Sequence, residues 1–177
     1  MLATLKAFDI RCTYAVAHYN RSFLRPLCLL LEISGNGLLW FALCAYAYCT
    51  TTDHKAVICL FVVGLITDLA IVGPLKYLVR RRRPETSASY LVSVDCFSFP
   101  SGHTTRAVYV AAFFLHFTKM SALLSALVVA WAAAVATSRV LLLRHFFSDV
   151  LCGAVIGRLN FALVVAISTM ALSTGAE

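Results

Sequence analysis

Between positions 76 and 149 lie residues whose types suit the handling of an anion and the transfer of protons: Lys76, Arg83, Ser101, Gly102, His103, Arg139, His145 and Asp149. Lys76 offers a point charge, and Arg83 offers a planar fork that matches phosphate oxygens. Pro100, Ser101, Gly102 and His103 read as a turn entering a helix. The free backbone N–H groups and positive dipole end of such a terminus favour an oxyanion, Gly102 permits close approach of the backbone, and the Ser101 hydroxyl adds a donor. His145 and Asp149 are four apart and share a helical face, so the carboxylate can hold one ring nitrogen while the other faces substrate. Two histidines and an aspartate also invite a metal, but hard cations want more carboxylates, and zinc ligands would not sit among Lys76, Arg83 and Arg139. Taken singly, each block has a plainer reading: a span-end arginine is ordinarily a topology anchor, a histidine a satisfied polar residue, and Pro-Ser-Gly a turn.

The elements that must position these groups are membrane helices. Of the 177 residues 61% are hydrophobic and 13% charged, and the mean hydropathy is +0.86, far more apolar than a soluble domain requires. A spanning helix needs roughly 20 apolar residues, and five stretches qualify, near 33–50, 56–79, 103–118, 121–143 and 149–172. The expected architecture is all-α, a polytopic transmembrane bundle of about five spans forming a single domain over residues 1–177, with the chemistry within 76–149. Residues 1–25 precede the spans and read as an amphipathic interfacial helix. Leu2, Leu5, Phe8, Cys12, Ala15, Val16 and Tyr19 make its apolar stripe, which fits either the membrane surface or packing on the bundle. Seven scattered cysteines read as small buried hydrophobes rather than disulfides or a zinc site.

Following the chain from the second span onward brings Lys76, Arg83, Ser101, His103, Arg139, His145 and Asp149 to one side of the membrane, while the opposite loops, 51–55 and 119–120, hold far less chemistry. Ionisable groups gathered this way mark a functional site. Together the blocks resemble the type 2 phosphatidic acid phosphatase superfamily, whose signature is Lys-x6-Arg-Pro, then Pro-Ser-Gly-His, then Ser-Arg-x5-His-x3-Asp. Lys76, Arg83 and Pro84, then Pro100 to His103, then Ser138, Arg139, His145 and Asp149 fill every signature position.

The resemblance implies a lipid phosphatase that works without metal or other cofactor. His145 would attack phosphorus, Asp149 would orient it, and His103 would protonate the leaving oxygen and later activate water. Lys76, Arg83, Ser101, Gly102 and Arg139 would hold the phosphoryl oxygens. Within the superfamily, Leu31 to Gly35, Arg80 to Pro84, Ser93 to Asp95 and Ser98 to Arg106 look like the presqualene or polyisoprenoid diphosphate phosphatase branch. That branch implies a polyisoprenoid diphosphate or monophosphate as substrate and the endoplasmic reticulum or nuclear envelope as location. Lys6, Arg11, Arg21 and Arg25 share the catalytic side, which argues for a cytoplasmic catalytic face. The implied partners are the lipid substrate and the bilayer, not nucleic acid. Alternatives are a phosphatase for phosphatidate or sphingoid phosphates, a non-catalytic membrane scaffold, and a vanadate-dependent peroxidase.

Three features around the site carry structural expectations. Asp68 and Arg158 lie eight residues before Lys76 and nine after Asp149, at similar depth by helical rise, so they are expected to pair. Gly153 and Gly157 form a Gly-x-x-x-Gly face suited to close packing within the monomer. Gly73 and Pro74 sit where a kink would re-aim Lys76, and Tyr90, Leu91, Val92, Phe97 and Phe99 flank the catalytic face.

Overall fold

The computed structural model describes residues 2–18, 24–85 and 96–174. Its helices are α1 (Leu2–Ala17), α2 (Leu24–Ser34), α3 (Gly37–Thr50), α4 (Lys55–Val79), α5 (Gly102–Phe117), α6 (Ala122–Leu141) and α7 (Phe147–Thr174). Among the described residues the only extended pairing is an isolated antiparallel bridge between Arg82 and Phe97.

The five expected spans correspond to α3 through α7, with two differences. α4, α6 and α7 are each long and apolar enough to cross a bilayer, whereas α5 has 16 residues and rises only about 24 Å. The stretch near 33–50 is broken, because α2 and α3 meet at 51° and reach span length only as a pair. Local chemistry makes the break: the Asn36 side chain accepts from Leu38 N at 2.9 Å and starts α3 anew, a competition with the helical ladder typical of this residue. Pro74 lies inside a continuous α4.

α5 is the central helix, in contact with α4, α6 and α7. Phe61 and Leu65 of α4, Tyr109, Val110 and Phe113 of α5, and Phe161 and Val164 of α7 form the main buried cluster. Lipid is as apolar as these side chains, so between membrane helices shape and interhelical hydrogen bonds matter more than burial. The α5–α7 seam supplies shape. A Cβ on Gly153 would lie 2.9 Å from Ser101 O, and one on Gly157 2.3 Å from Thr105 O, so the Gly-x-x-x-Gly face serves the monomer's own packing. The α4–α7 seam supplies hydrogen bonds: Asn160 Nδ2 donates to Gly64 O at 2.9 Å, and Thr67 Oγ1 donates to Asn160 Oδ1 at 2.6 Å.

The expected Asp68–Arg158 pair does not form. Asp68 is fully buried and Arg106 Nη2 lies 2.9 Å from its Oδ2, while Arg158 is exposed with its guanidinium over the Phe161 ring. Depth along a helix says nothing of azimuth, and Arg106 is the cation that points inward.

α1 also settles differently from a helix packed by its apolar stripe. Leu5 and Phe8 are exposed, and the buried residues are Asp9 and Thr13. The helix docks by its polar face and presents its hydrophobes outward, the disposition of an interfacial helix. Tyr19, Arg21, Tyr90 to Val92 and Ser93 to Asp95 lie outside the described residues.

Candidate active site

The site is assembled where the ends of α4, α6, α5 and α7 meet. The turn from α6 into α7 is tight: Arg144 N and His145 N both donate to Arg139 O, at 3.0 and 3.2 Å. Leu143 is held at φ 53°, a left-handed conformation uncommon for a branched side chain. This turn fixes Arg139, Arg144 and His145 relative to one another. On the facing element, Ser101 N donates to Asp149 O at 3.2 Å, which ties the start of α5 to the start of α7.

His145 is buried, and its Nδ1 lies 2.5 Å from Ser98 O. A carbonyl can only accept, so Nδ1 carries the ring proton and Nε2 keeps its lone pair. Asp149 Oδ2 stands 4.0 Å from the same nitrogen. Its carboxylate accepts from Phe146 N at 2.8 Å and from Arg81 Nη1 at 2.8 Å, so the Ser98 carbonyl is the direct partner of the ring and Asp149 supports from behind. Burial pushes the His145 pKa well below the usual histidine value, and the cations Arg83, Arg139 and Lys76 push it the same way. The ring is therefore neutral at physiological pH.

Around the histidine the cations are gathered as expected. Lys76 is buried in the last turn of α4, and Arg83 Nη1 donates to Arg144 O at 3.2 Å. Arg139 is 1% exposed and pairs through Nη2 with Glu32 Oε1 at 3.0 Å. Its Nε and Nη1, together with His103 Nε2, are buried and find no hydrogen-bond partner among the described residues. Buried polar atoms left unpaired cost about 1–3 kcal/mol each, and the two free N–H groups of Arg139 have the chemistry to meet an oxyanion. Ser101 begins α5 without capping it through its side chain; its Oγ accepts from Thr104 Oγ1 at 3.0 Å. Gly102 follows as the first helical residue. Gly35, at the α2–α3 break, brings backbone against the imidazole of His103, where a Cβ would stand 3.2 Å from its Cδ2. Among the described residues no cluster of three or more His, Cys, Asp or Glu has the arrangement of a metal site.

Four contributors escaped the sequence reading. Glu32 engages Arg139 at 3.0 Å and lies 3.9 Å from Arg144. Ser98 acts through its main-chain carbonyl, which leaves no side-chain signal. Arg81 was one arginine in a block of four, yet it alone bridges Asp9 and Asp149, at 2.6 and 2.8 Å. Asp9 had a legible hint, since Asp9 and Thr13 are an i, i+4 polar pair in an otherwise apolar and basic segment.

Residues 56–172 match the family described as the PAP2 superfamily. The chain is 32% identical to the probable lipid phosphate phosphatase beta of Arabidopsis thaliana over 186 residues, an alignment covering 88% of this chain and 86% of the relative. Its fold is similar to that of Aquifex aeolicus LpxE, with a TM-score of 0.72 at 22% identity over 88% of this chain and 93% of the other. It is equally similar to the transmembrane PAP2-type phosphatidylglycerolphosphate phosphatase of Bacillus subtilis, with a TM-score of 0.72 at 25% identity over 94% of this chain and 87% of that one. A helical membrane bundle, a complete three-block signature gathered at one end, and a family match over most of the chain lead to one conclusion: the chain belongs to the PAP2 superfamily of membrane lipid phosphatases.

Proposed function

We propose that the chain hydrolyses a polyisoprenoid diphosphate or monophosphate, without a metal, through a phosphohistidine formed on His145. The observation that carries the mechanism is the bond from His145 Nδ1 to the Ser98 carbonyl, which leaves Nε2 unprotonated on a neutral ring. Nε2 attacks phosphorus, the bond from phosphorus to the leaving oxygen breaks, and His103 gives that oxygen its proton. His103 then takes a proton from water, the water oxygen attacks phosphorus, and the N–P bond breaks to free phosphate and restore the ring.

Lys76, Arg83, Arg139, Ser101 and the Gly102 backbone hold the equatorial oxygens, where charge must be stabilised in phosphoryl transfer. Asp149 steadies the neighbourhood of His145. These cations supply the electrostatic role a metal would otherwise fill. The isoprenoid substrate rests on the segments Leu31 to Gly35, Arg80 to Pro84 and Ser98 to Arg106. Phe97 and Phe99, both half-buried, adjoin the site where an apolar chain would leave it. The relatives named as lipid phosphate and phosphatidylglycerolphosphate phosphatases support a second reading, in which the tail belongs to a glycerolipid.

The interfacial element is α1, and its docking on the start of α7 through Asp9 supports a reading in which Lys6 and Arg11 share the catalytic side with Arg80 to Arg83. That distribution favours a cytoplasmic catalytic face in the endoplasmic reticulum or nuclear envelope. The deciding experiment measures phosphate release in detergent with excess EDTA from farnesyl diphosphate, presqualene diphosphate and phosphatidate. Preference for an isoprenoid diphosphate, abolished by His145→Ala and indifferent to chelator, is expected. Preference for phosphatidate would transfer the substrate to the second reading, and loss with EDTA would overturn the mechanism.

A further inference from the structure

The most heavily bonded polar cluster outside the phosphate site joins α1 to the carboxylate behind His145. Asp9 accepts from Ser148 N at 2.9 Å, from Ser148 Oγ at 2.6 Å and from Arg81 Nη2 at 2.6 Å. Arg81 Nη1 donates onward to Asp149 Oδ1 at 2.8 Å and to Ser148 Oγ at 2.7 Å, and its guanidinium lies 3.9 Å from the centroid of the Phe146 ring. Through its main chain, Arg81 O accepts from Ser98 N at 2.7 Å, and Ser98 O is the partner of His145 Nδ1. Both groups that hold the imidazole, the Ser98 carbonyl and the Asp149 carboxylate, are therefore anchored on one residue, and that residue is anchored on α1. The cluster is only partly exposed, with side-chain exposures of 23% for Arg81, 11% for Asp9 and none for Asp149.

We propose that Asp9 and Arg81 are positioning residues for the nucleophile, so that docking of α1 at the membrane surface sets the orientation and charge environment of His145. The inference rests on the reading of His145 as nucleophile. A carboxylate held by Arg81 through Oδ1 and by Phe146 N through Oδ2 can rotate little, and Asp9 takes the other terminal nitrogen of the guanidinium, Nη2, so that Arg81 meets Asp149 in one geometry. Asp9 itself, outside the spans, is pushed up by burial but held below the usual carboxylate range overall by hydrogen bonds from Ser148 and Arg81, so it is charged when α1 is docked. The other charged or titratable groups acting on His145 are Lys76 from α4, Arg83 from the following connection, Arg139 from the α6 end and Asp149 from α7.

The test exploits the opposite charges of the two residues. Asp9→Asn leaves Arg81 less compensated, which disfavours a protonated His145 and moves the acid limb of kcat/KM to lower pH. Arg81→Gln removes a cation and moves it to higher pH, each by about half a unit. Both variants should lower kcat about tenfold with KM changed less than about twofold, measured on the full chain in mixed micelles. Thr13→Val removes the hydroxyl that accepts from Phe147 N at 3.0 Å without touching Arg81, so it should lower thermal stability and leave the limb in place. Limbs that move the same way or not at all, or a Thr13→Val limb that moves with that of Asp9→Asn, would overturn the proposal. His145→Ala is run alongside: turnover retained there sinks the nucleophile reading and this inference with it, whereas turnover abolished there with unmoved limbs in the other two sinks this inference alone.

Discussion

His145 is kept neutral by its surroundings, and that has a cost that can be measured. In the folded protein burial, then Arg83, Arg139 and Lys76, hold its pKa well below 6.5, with the Ser98 bond opposing. In the unfolded chain the ring takes a proton as pH falls through about 6.5. Below that value the unfolded state binds more protons than the native one, so stability declines with falling pH until the depressed native value is reached; above about 6.5 the group has no effect. The melting temperature in detergent should fall between about pH 7 and about pH 5. His145→Asn, which cannot titrate, should flatten that slope, and parallel slopes for the two proteins would assign the loss to other groups. The signature residues were readable because their side-chain types and spacing are visible in the chain itself. Ser98 was not, because it meets His145 through its main-chain carbonyl, and any residue has one.

At the scale of elements, α3 to α7 were legible from hydropathy, with termini within a few residues of the expected spans, whereas α2 (Leu24–Ser34) falls almost wholly outside them. What hydropathy misses is a break without a change in polarity. Trp40 Nε1 donates to Ser34 O at 2.9 Å and Trp131 Nε1 to Ser34 Oγ at 3.0 Å, bonds that hold the bent α2–α3 junction from α3 and α6. Small residues also read ambiguously, since a Gly-x-x-x-Gly face serves a dimer or a monomer equally well until its neighbour is known. Here the neighbour is the α5 backbone. A side chain at 157 would meet Thr105 C and Cα at 3.0 Å besides the carbonyl oxygen, so Gly157→Val must separate α5 from α7. A loss of about 2–3 kcal/mol is expected, seen as a lowered unfolding midpoint in a detergent-denaturant titration. A midpoint within the error of the parent would mean that the two helices slide apart without penalty.

Over the whole molecule, the one-sided distribution of polar groups was legible, because alternating spans bring every second connection together whatever the helices do laterally. Lateral arrangement was not, and the Asp68 partner shows why: two cations lay within reach along the axis, and only the packing of α4 on α5 selected Arg106. The same one-sidedness has a consequence for the bilayer as a substrate reservoir. With the proposed phosphate-binding groups at one end, an enzyme working through them would consume lipid from a single leaflet. A charged headgroup crosses the hydrocarbon slowly, so substrate in the other leaflet waits on flip-flop. In sealed vesicles with the enzyme in one orientation and substrate distributed evenly, phosphate release should come as a fast phase of roughly half the total followed by a slow one, and detergent should merge the two. Release in a single fast phase from intact vesicles would mean that both leaflets feed the site. The dephosphorylated product carries less charge and crosses more freely, so the reaction carries lipid mass from one side of the membrane toward both.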